Sequence, residues 1–316
     1  MNNNIKSFIA KHSSLVLMIF LIISLSILLG FKSEHFLTLK NVINILEANS
    51  YKLILAIGMT FIISSGAIDL SVGSIISLSA IIMALSMKNG ASVPAGIIVA
   101  LFSGAALGAF NGSIIHFSGI NPMITTLATA SIYRGLSLII TKGIPITKFE
   151  KSFLSIGSGE LFGAEPSVTI AIIILITAIP VMYKMKWGHY LRTMGSNHSA
   201  LIRMGVSTGR YRISSYIYMG VMAAIVGIII TARLNSAEAN AGLSMEMDAI
   251  AAVIMGGTPL HGGRAALGGT VAAVLLLGII RNGLTVMSIS SFYQQFITGT
   301  ILLIAVLVTE YRIKKT

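Results

Sequence analysis

The chain contains no cysteine among its 316 residues, which excludes disulfide bonds and thiol chemistry. It is also poor in charge, since Asp, Glu, Lys and Arg make up 10% of the residues, whereas a soluble domain carries about 25%. Hydrophobic residues make up 55%. Because the deficit of charge runs along the whole chain, we expect apolar surface to face lipid, and we predict an all-α integral membrane protein.

Acidic residues are scarce even within this small charged set. The chain has 10 Asp and Glu against 22 Lys and Arg, a formal net charge of +12. Such an excess can favour binding to nucleic acid. Here it lies in short loops beside apolar runs, where orientation in a membrane explains it. We therefore expect no nucleic-acid partner.

Patterns typical of a catalytic or metal centre are missing. None of the six histidines is spaced three or four residues from another histidine or a carboxylate on an evident helix. The histidines are His12, His35, His116, His189, His198 and His261. The run 257–264 has Gly263 and Arg264 where a phosphate-binding loop requires Lys and then Ser or Thr. We expect no catalytic residue, no metal, no cofactor and no nucleotide site on this chain.

Ten apolar runs approach the roughly 20 residues that a membrane span requires. They are 14–31, 51–67, 71–87, 93–115, 122–141, 167–183, 213–232, 248–260, 266–286 and 292–309. The sequence thus predicts one polytopic domain, 1–316, with about ten transmembrane helices. Broken or re-entrant helices are expected near 67–71 and 248–266. The first run follows Lys6 and Lys11 and lacks a small-residue cleavage site, so we interpret it as an uncleaved span.

The segment 184–212 sets the predicted orientation. It contains six basic residues and no acidic one. These are Lys184, Lys186, Arg192, Arg203, Arg210 and Arg212. Basic loops of this length stay on the cytoplasmic side, and with ten spans both termini then lie inside the cell as well. A cytoplasmic partner would grip the protein at this segment.

Several polar residues fall at or near membrane depth, where a charge needs a reason. Asp69 and Ser71 fit either the N-cap of a helix or a broken helix that faces a pathway. Asp248 has the same two interpretations. Arg134 and Arg281 occur in similar local strings; each is expected to pair with an acid or to reach the interface, in preference to contacting substrate.

Uncharged polar residues are further candidates. Those able to hydrogen-bond a polar substrate are Asn121, Asn235, Asn282, Gln294 and Gln295, although an interhelical contact is the simpler role for any one of them. Gly104, Gly108 and Gly112 lie on one helix face, a pattern typical of closely packed membrane helices. The glycines between 256 and 269 predict a tight turn or a mobile gate.

Four longer strings point to one family. SGAIDLSVGSIISLSA (65–80), NPMITTLATASIYRGLSLIITKGIPI (121–146), TARLNSAEANAGLSMEMDAIAAVIMGGTPLHGGR (231–264) and SSFYQQFITGTILLIAV (290–306) occur in this order. Together they resemble the permease subunits of bacterial ATP-binding-cassette importers for simple sugars, the ribose type. The resemblance implies a non-catalytic, multi-pass subunit of the bacterial cell (inner) membrane.

The resemblance also implies partners and a coupling helix in the basic segment. Its matching positions are Gly188, Tyr190, Arg192, Gly195, Asn197, Ala200 and Gly205. Such a helix docks on a separate ATPase subunit. After Asn197 the family often has an acidic residue, whereas this chain has His198 and Ser199. A second permease copy or paralogue, surrounding membrane lipid, and a periplasmic or lipid-anchored sugar-binding protein are the other implied partners.

Two other classes compete with an importer subunit. A stand-alone secondary carrier of a small polar solute would need titratable acids in mid-span, but Asp69 and Asp248 lie near predicted span ends. A membrane-embedded enzyme would need a nucleophile with its base or paired carboxylates, and none is evident. The sequence leaves open which sugar is carried and whether the permease pairs with itself.

Overall fold

The computed structural model describes residues 13–290 and the further positions 293, 296, 297, 299, 300, 303, 304 and 307. Within residues 13–290 the chain is almost entirely helical. The helices are α1 (Ser13–Lys32), α2 (Leu39–Ser64), α3 (Val72–Lys88), α4 (Val93–Ser118), α5 (Pro122–Thr141), α6 (Lys151–Ser158), α7 (Pro166–Tyr183), α8 (Lys186–Arg203), α9 (Thr208–Leu234), α10 (Met245–Met255) and α11 (Leu267–Val286). Two short strands, β1 (Ile146–Thr147) and β2 (Ser236–Ala237), pair antiparallel.

Seven of these helices are long and apolar enough to span a membrane. They are α1, α2, α4, α5, α7, α9 and α11. The 17-residue α3 is apolar but shorter. The predicted span 248–260 is an 11-residue helix, α10, which ends at Met255 because Gly257 adopts a positive φ of 98°. Most of the predicted span 292–309 lies outside the described residues.

Two helices differ from their predicted limits. Helix α2 begins at Leu39 rather than near residue 51, because Thr38 caps its first turn by accepting a hydrogen bond from Asn41 N at 3.3 Å. The basic segment 184–212 is largely helical and forms α8 and the start of α9. Helix α2 is thus longer than the apolar run 51–67 predicted, because its first turns carry polar residues.

Helices α2, α3, α9, α10 and α11 form the core. The second half of α2, from Ile54 to Ser64, is buried. Helices α1, α4 and α5 instead leave large apolar side chains uncovered, such as Phe31, Phe102 and Ile139, which are 88%, 76% and 73% exposed. Exposed apolar surface on this scale is typical of contact with lipid or another subunit.

The predicted glycine face on α4 packs against α9. A Cβ added at Gly104 or Gly108 would overlap the carbonyl oxygens of Gly220 or Tyr216, and one at Gly112 would lie 2.8 Å from Ile213 Cα. Only glycine permits this approach of two backbones, so the prediction of close packing is confirmed.

The bundle has two distinct ends. At one end lie α8, the last residues of α7 and the first residues of α9, and we call it the basic end. At the other lie β1, β2, α6, the first residues of α7 and the last residues of α9, and we call it the ribbon end. The ribbon is fixed there by Phe149 N, which donates to Asn235 Oδ1 at 3.1 Å. Because α7 and α9 each run from one end to the other, the basic end and the ribbon end lie one helix length apart.

Candidate translocation and coupling sites

The predicted helix break at 67–71 is confirmed, and Asp69 lies in it. The chain leaves helical geometry between Ser64 and Val72. The side chain of Asp69 is fully buried. Its Oδ1 accepts hydrogen bonds from Ser71 N at 2.9 Å and from Ser71 Oγ at 2.6 Å. Its Oδ2 accepts none from any described residue. Asp69 thus satisfies a backbone N–H beside α3, and one acceptor position remains buried.

A chain of hydrogen bonds extends from this break into α4 and α5. Asn111 Nδ2 donates to Ser71 Oγ at 2.7 Å, and Tyr133 Oη lies 2.8 Å from Asn111 Oδ1. Both Asn111 and Tyr133 are buried. The sequence analysis missed these two residues, although an Asn inside a predicted span next to Gly112 is the signal that was available. The network ties the broken segment to two neighbouring helices.

The backbone of the break is held from two further sides. Tyr216 of α9 donates its hydroxyl to Ile68 O at 3.2 Å, and Leu70 N donates to Thr126 Oγ1 of α5 at 3.1 Å. Backbone groups that leave a helix at membrane depth need such partners, because lipid offers none. The break between α2 and α3 is therefore stabilised by hydrogen bonds with neighbouring helices.

Arg134 forms no salt bridge with an acid among the described residues, so of its two expected roles pairing with an acid is not observed, and reaching the interface stays a prediction. Its Nη1 donates to Ala239 O, to Ala241 O at 3.0 Å and to Ser77 Oγ at 3.2 Å. The segment that precedes α10 therefore lies against α3 and α5 inside the bundle. Gly73 permits this contact, because a Cβ there would overlap Gly242 O.

Asp248 and Arg281 form an ion pair between α10 and α11, and the expectation of acid pairing is confirmed for Arg281. Arg281 donates Nη1 to Asp248 Oδ2 at 2.8 Å and Nη2 to Asp248 Oδ1 at 2.5 Å. Lys52 Nζ of α2 lies 3.7 Å from the same carboxylate. One carboxylate thus holds two cations on two other helices.

The remaining uncharged candidates occupy local structural roles where they are described. Asn121 caps α5 by accepting from Met123 N at 2.9 Å. Asn282 exchanges two hydrogen bonds with Asn41, at 2.9 and 2.8 Å, which is an interhelical contact. Asn235 ends α9 with a φ of 51°. Gln294 and Gln295 lie outside the described residues. A pathway role for any of these residues stays a prediction.

Gly195 of α8 lies where three backbone segments meet at the basic end. A Cβ added to it would overlap Ser64 O and Gly263 N and lie 3.0 Å from Gly262 Cα. Gly263 N donates to Ser64 O at 3.0 Å across the same point. The end of α2, the turn between α10 and α11, and α8 are thus in direct backbone contact. We call this point the glycine junction.

The other predicted coupling positions divide into buried and exposed ones. Gly188 is buried against the end of α7, where a Cβ would overlap Met182 O. Tyr190 packs edge-on against Tyr211, with ring centroids 5.0 Å apart. Arg192 lies 5.7 Å from the centre of the Tyr183 ring. These residues fix α8 on the bundle.

Helix α8 is kinked at Asn197. This residue has non-helical angles, φ −155° and ψ 82°, and its Oδ1 accepts from Ala200 N at 2.9 Å, as an N-cap does. Beyond the kink His198, Ser199 and Gly205 are exposed. Burial, together with the cations Arg212 and His116, lowers the pKa of His198. The exposed surface at this end is therefore 196–199 and 202–205.

Two cavities open at the ribbon end. One, of about 760 Å³, lies between the ends of α3 and α5 and the ribbon. The other, of about 560 Å³, contains three glutamates and Arg233. Among the described residues no group of three or more His, Asp or Glu is placed to hold a metal ion.

Comparison with known proteins adds a family and named relatives. Residues 41–306 match the family model described as branched-chain amino acid transport system / permease component. The ribose import permease protein of Escherichia coli K12 is 35% identical over 307 residues, covering 96% of this chain and 94% of that protein.

Two further relatives are of similar extent. The ribose import permease protein of Bacillus subtilis 168 is 38% identical over 286 residues, 90% of this chain and 88% of that protein. The D-allose transport system permease protein of E. coli K12 is 32% identical over 274 residues, 86% and 84% of the two chains. No solved structure matches this chain.

Proposed function

The chain belongs to the family of branched-chain amino acid transport system / permease components, and from this membership we propose that it is the permease subunit of an ATP-binding-cassette importer for a simple sugar. Relatives that cover 96% and 86% of it are named for ribose import and for D-allose transport. The buried polar groups at its helix break agree with such a cargo, because a neutral polyol needs hydrogen-bonding groups rather than a counter-charge.

The proposed orientation places the basic end in the cytoplasm of a bacterial cell and the ribbon end outside. The basic residues of 184–212 support it through the positive-inside rule. The two ends differ in structure: Ser64, Gly195 and Gly263 meet at the basic end, and Phe149 contacts Asn235 at the ribbon end. About ten spans with both termini inside complete the proposed topology.

The observation that supports coupling most directly is the glycine junction. In the proposed mechanism a separate ATPase subunit binds the exposed part of α8 and shifts it during its ATP cycle. Gly195 passes that shift to the end of α2 and to the turn before α11 without an intervening side chain. The break that holds Asp69 begins directly after α2, so the helix ends near the proposed pathway respond.

The pathway itself is proposed to form between two permease copies, supplied by a sugar-binding protein at the outer face. Candidate pathway or gating residues are Asp69, Ser71, Asn121, Arg134, Asn235, Asp248, Gln294 and Gln295. Asp69 and Ser71 are buried in the described conformation, so their contact with sugar requires the bundle to open. The subunit performs no covalent chemistry, and ATP hydrolysis takes place in the partner.

Absence of native cysteine permits a direct test of the docking surface. Ser199→Cys lies on the exposed part of α8 and Glu34→Cys lies beyond α1 at the other end of the bundle. We expect a bifunctional thiol–amine reagent to join Ser199→Cys, and not Glu34→Cys, to a co-purified ATPase subunit in native membranes. Failure of any ATPase to co-purify or to cross-link would count against the importer.

The unpartnered Oδ2 of Asp69 is the one observation that favours a secondary carrier, since such carriers use buried acids to move protons. Reconstituted vesicles separate the two functions. Uptake by the complex that requires ATP supports the importer. Uptake by this chain alone, driven by a proton gradient and lost in Asp69→Asn, would establish the carrier instead.

A further inference from the structure

The smaller cavity at the ribbon end carries an excess of negative charge. Glu47 of α2, Glu160 and Glu165 before α7, and Arg233 at the end of α9 line it, with glycines 157, 159 and 163 forming much of the remaining wall. Three carboxylates face one guanidinium, so the ionised cavity has a net charge of −2 (three negative and one positive). We call it the acidic pocket.

Glu165 is the buried acceptor of the acidic pocket. Its side chain is only 8% exposed, and its Oε1 accepts no hydrogen bond from any described residue. Arg233 Nη1 lies 3.8 Å from that oxygen, and its own side chain is 38% exposed. Burial raises the pKa of Glu165, Arg233 opposes this, and the neighbouring Glu47 adds to it. A second cationic group in the pocket would meet a carboxylate that Arg233 satisfies incompletely.

A metal ion is not the cation that this geometry favours. The described residues contain no group of His, Asp or Glu arranged closely enough for metal ligation. The carboxylates come from two separate segments, α2 and the stretch before α7, and the space between them suits a guanidinium or an ammonium on a side chain that enters from outside.

An aromatic side chain projects beside the pocket from a tight turn. Leu161 N donates to Ala164 O at 2.8 Å and Ala164 N donates to Leu161 O at 3.2 Å. The two residues between them, Phe162 and Gly163, have positive φ of 54° and 80°, as a two-residue hairpin turn requires. A bulky residue is rare at such an angle.

Phe162 is also 90% exposed. A strained backbone position that presents a large apolar side chain to its surroundings is typical of a functional contact. Exposed aromatic residues flanked by charge are the usual anchors of protein interfaces. The turn therefore supplies an apolar contact next to the acidic one.

We propose that the acidic pocket and Phe162 form a docking site for the extracytoplasmic binding protein, which inserts a lysine or arginine side chain between the glutamates and covers the Phe162 ring. This inference rests on the proposed function, which places the ribbon end outside. Charge complementarity selects the occupant: the carboxylates repel anionic lipid headgroups and attract a basic protein surface.

The test uses the permease–ATPase complex in nanodiscs and the sugar-binding protein that stimulates its ATPase activity. The affinity of the binding protein for the complex is measured at low and at high salt. Glu160→Lys reverses an exposed charge of the pocket, and Phe162→Asn removes the ring while keeping a residue that tolerates positive φ. Glu34→Lys is the matched control, because Glu34 is an exposed glutamate that does not line the pocket.

We expect Glu160→Lys and Phe162→Asn each to weaken binding about tenfold or more, and Glu160→Lys to reduce the salt dependence as well. The Glu34→Lys complex should bind as the parent does. Equal affinity of all three variants would overturn the docking site. Each variant is first checked for a monodisperse elution profile, and Glu160→Gln, which only removes the charge, replaces Glu160→Lys if that variant aggregates.

Two outcomes separate this inference from the proposed function. If the parent complex binds the protein and its ATPase activity responds, but the pocket variants behave as the parent, only the docking site is refuted. If the parent complex neither contains an ATPase nor responds to a binding protein, the importer itself is refuted. A photo-reactive phenylalanine at position 162 gives independent support if it cross-links to the binding protein, and an adduct with lipid alone contradicts the inference.

Discussion

Gly195→Ala is the substitution that tests the glycine junction most directly. The added methyl group would overlap Ser64 O and Gly263 N, both backbone atoms, and contact Gly262 Cα at 3.0 Å. A flexible side chain could move aside, but here the backbones of α2 and of the turn before α11 must separate. Overpacking of this kind costs about 1–3 kcal/mol.

The same separation breaks the hydrogen bond from Gly263 N to Ser64 O, which adds about 1 kcal/mol. We therefore expect Gly195→Ala to destabilise the folded subunit by about 2–4 kcal/mol. For a chain of 316 residues this corresponds to a fall in Tm of about 3–6 °C, since the entropy of unfolding is about 2.1 cal/mol/K per residue. ATP-driven uptake should fall by more than the loss of folded protein explains, because Gly195→Ala alters the contact that is proposed to transmit the motion of α8.

The measurement is thermal unfolding of the purified complex together with uptake by reconstituted vesicles. Gly135→Ala is the control, since Gly135 is also helical but has nothing within 4 Å of its added Cβ. A Gly195→Ala variant with the Tm and uptake of this control would refute the junction as a coupling contact.

Three further predictions concern other parts of the bundle. Asp248→Asn leaves Arg281 and Lys52 without their carboxylate and should lower Tm. The double variant Asp248→Asn, Arg281→Gln should recover part of that loss in Tm. A larger loss in the double variant would contradict the pairing of Asp248 with Arg281. Gly108→Val should separate α4 from α9 and reduce the yield of folded protein, measured by protease resistance against Gly135→Val. Burial lowers the pKa of His198, so the fold favours the neutral imidazole, and stability should fall as pH drops below the unfolded pKa of about 6.5. The Tm of His198→Gln should therefore change less between about pH 5 and pH 7. An unchanged slope of Tm against pH would show that His198 is not the source of the pH dependence.

The sequence predicted local features that depend on a few neighbouring residues. The break around Asp69, the packed glycines of α4 and the short helix near 248 are each visible as a local pattern of Gly, Ser and Asp. The ion pair of Arg281 was foreseen only as one alternative, because its partner lies 33 residues away. Local chemistry thus showed that a partner was needed but not which residue supplied it.

Features that depend on contacts between residues far apart in the chain could not be predicted from the sequence. The link between Asp69 and Tyr133 passes through Ser71 and Asn111 on three elements, and no periodicity encodes such a chain. The partners of Arg134 could not be predicted, because two of its three acceptors are backbone carbonyls, which every residue possesses. Gly195 looked like a docking residue, and only the fold shows that its missing side chain makes room for two other backbones.

Helix α9 acquires a mechanical meaning from its length and its neighbours. Its 27 residues correspond to about 40 Å, from the segment that follows α8 to Arg233 in the acidic pocket. The contacts of Gly104, Gly108 and Gly112 hold α9 against α4 near its middle, and we expect the two helices to move together. A tilt imposed at the basic end would then appear at the ribbon end in the opposite direction. In the proposed orientation, α9 would thereby respond both to a protein bound at the outer surface and to the nucleotide state of the ATPase subunit.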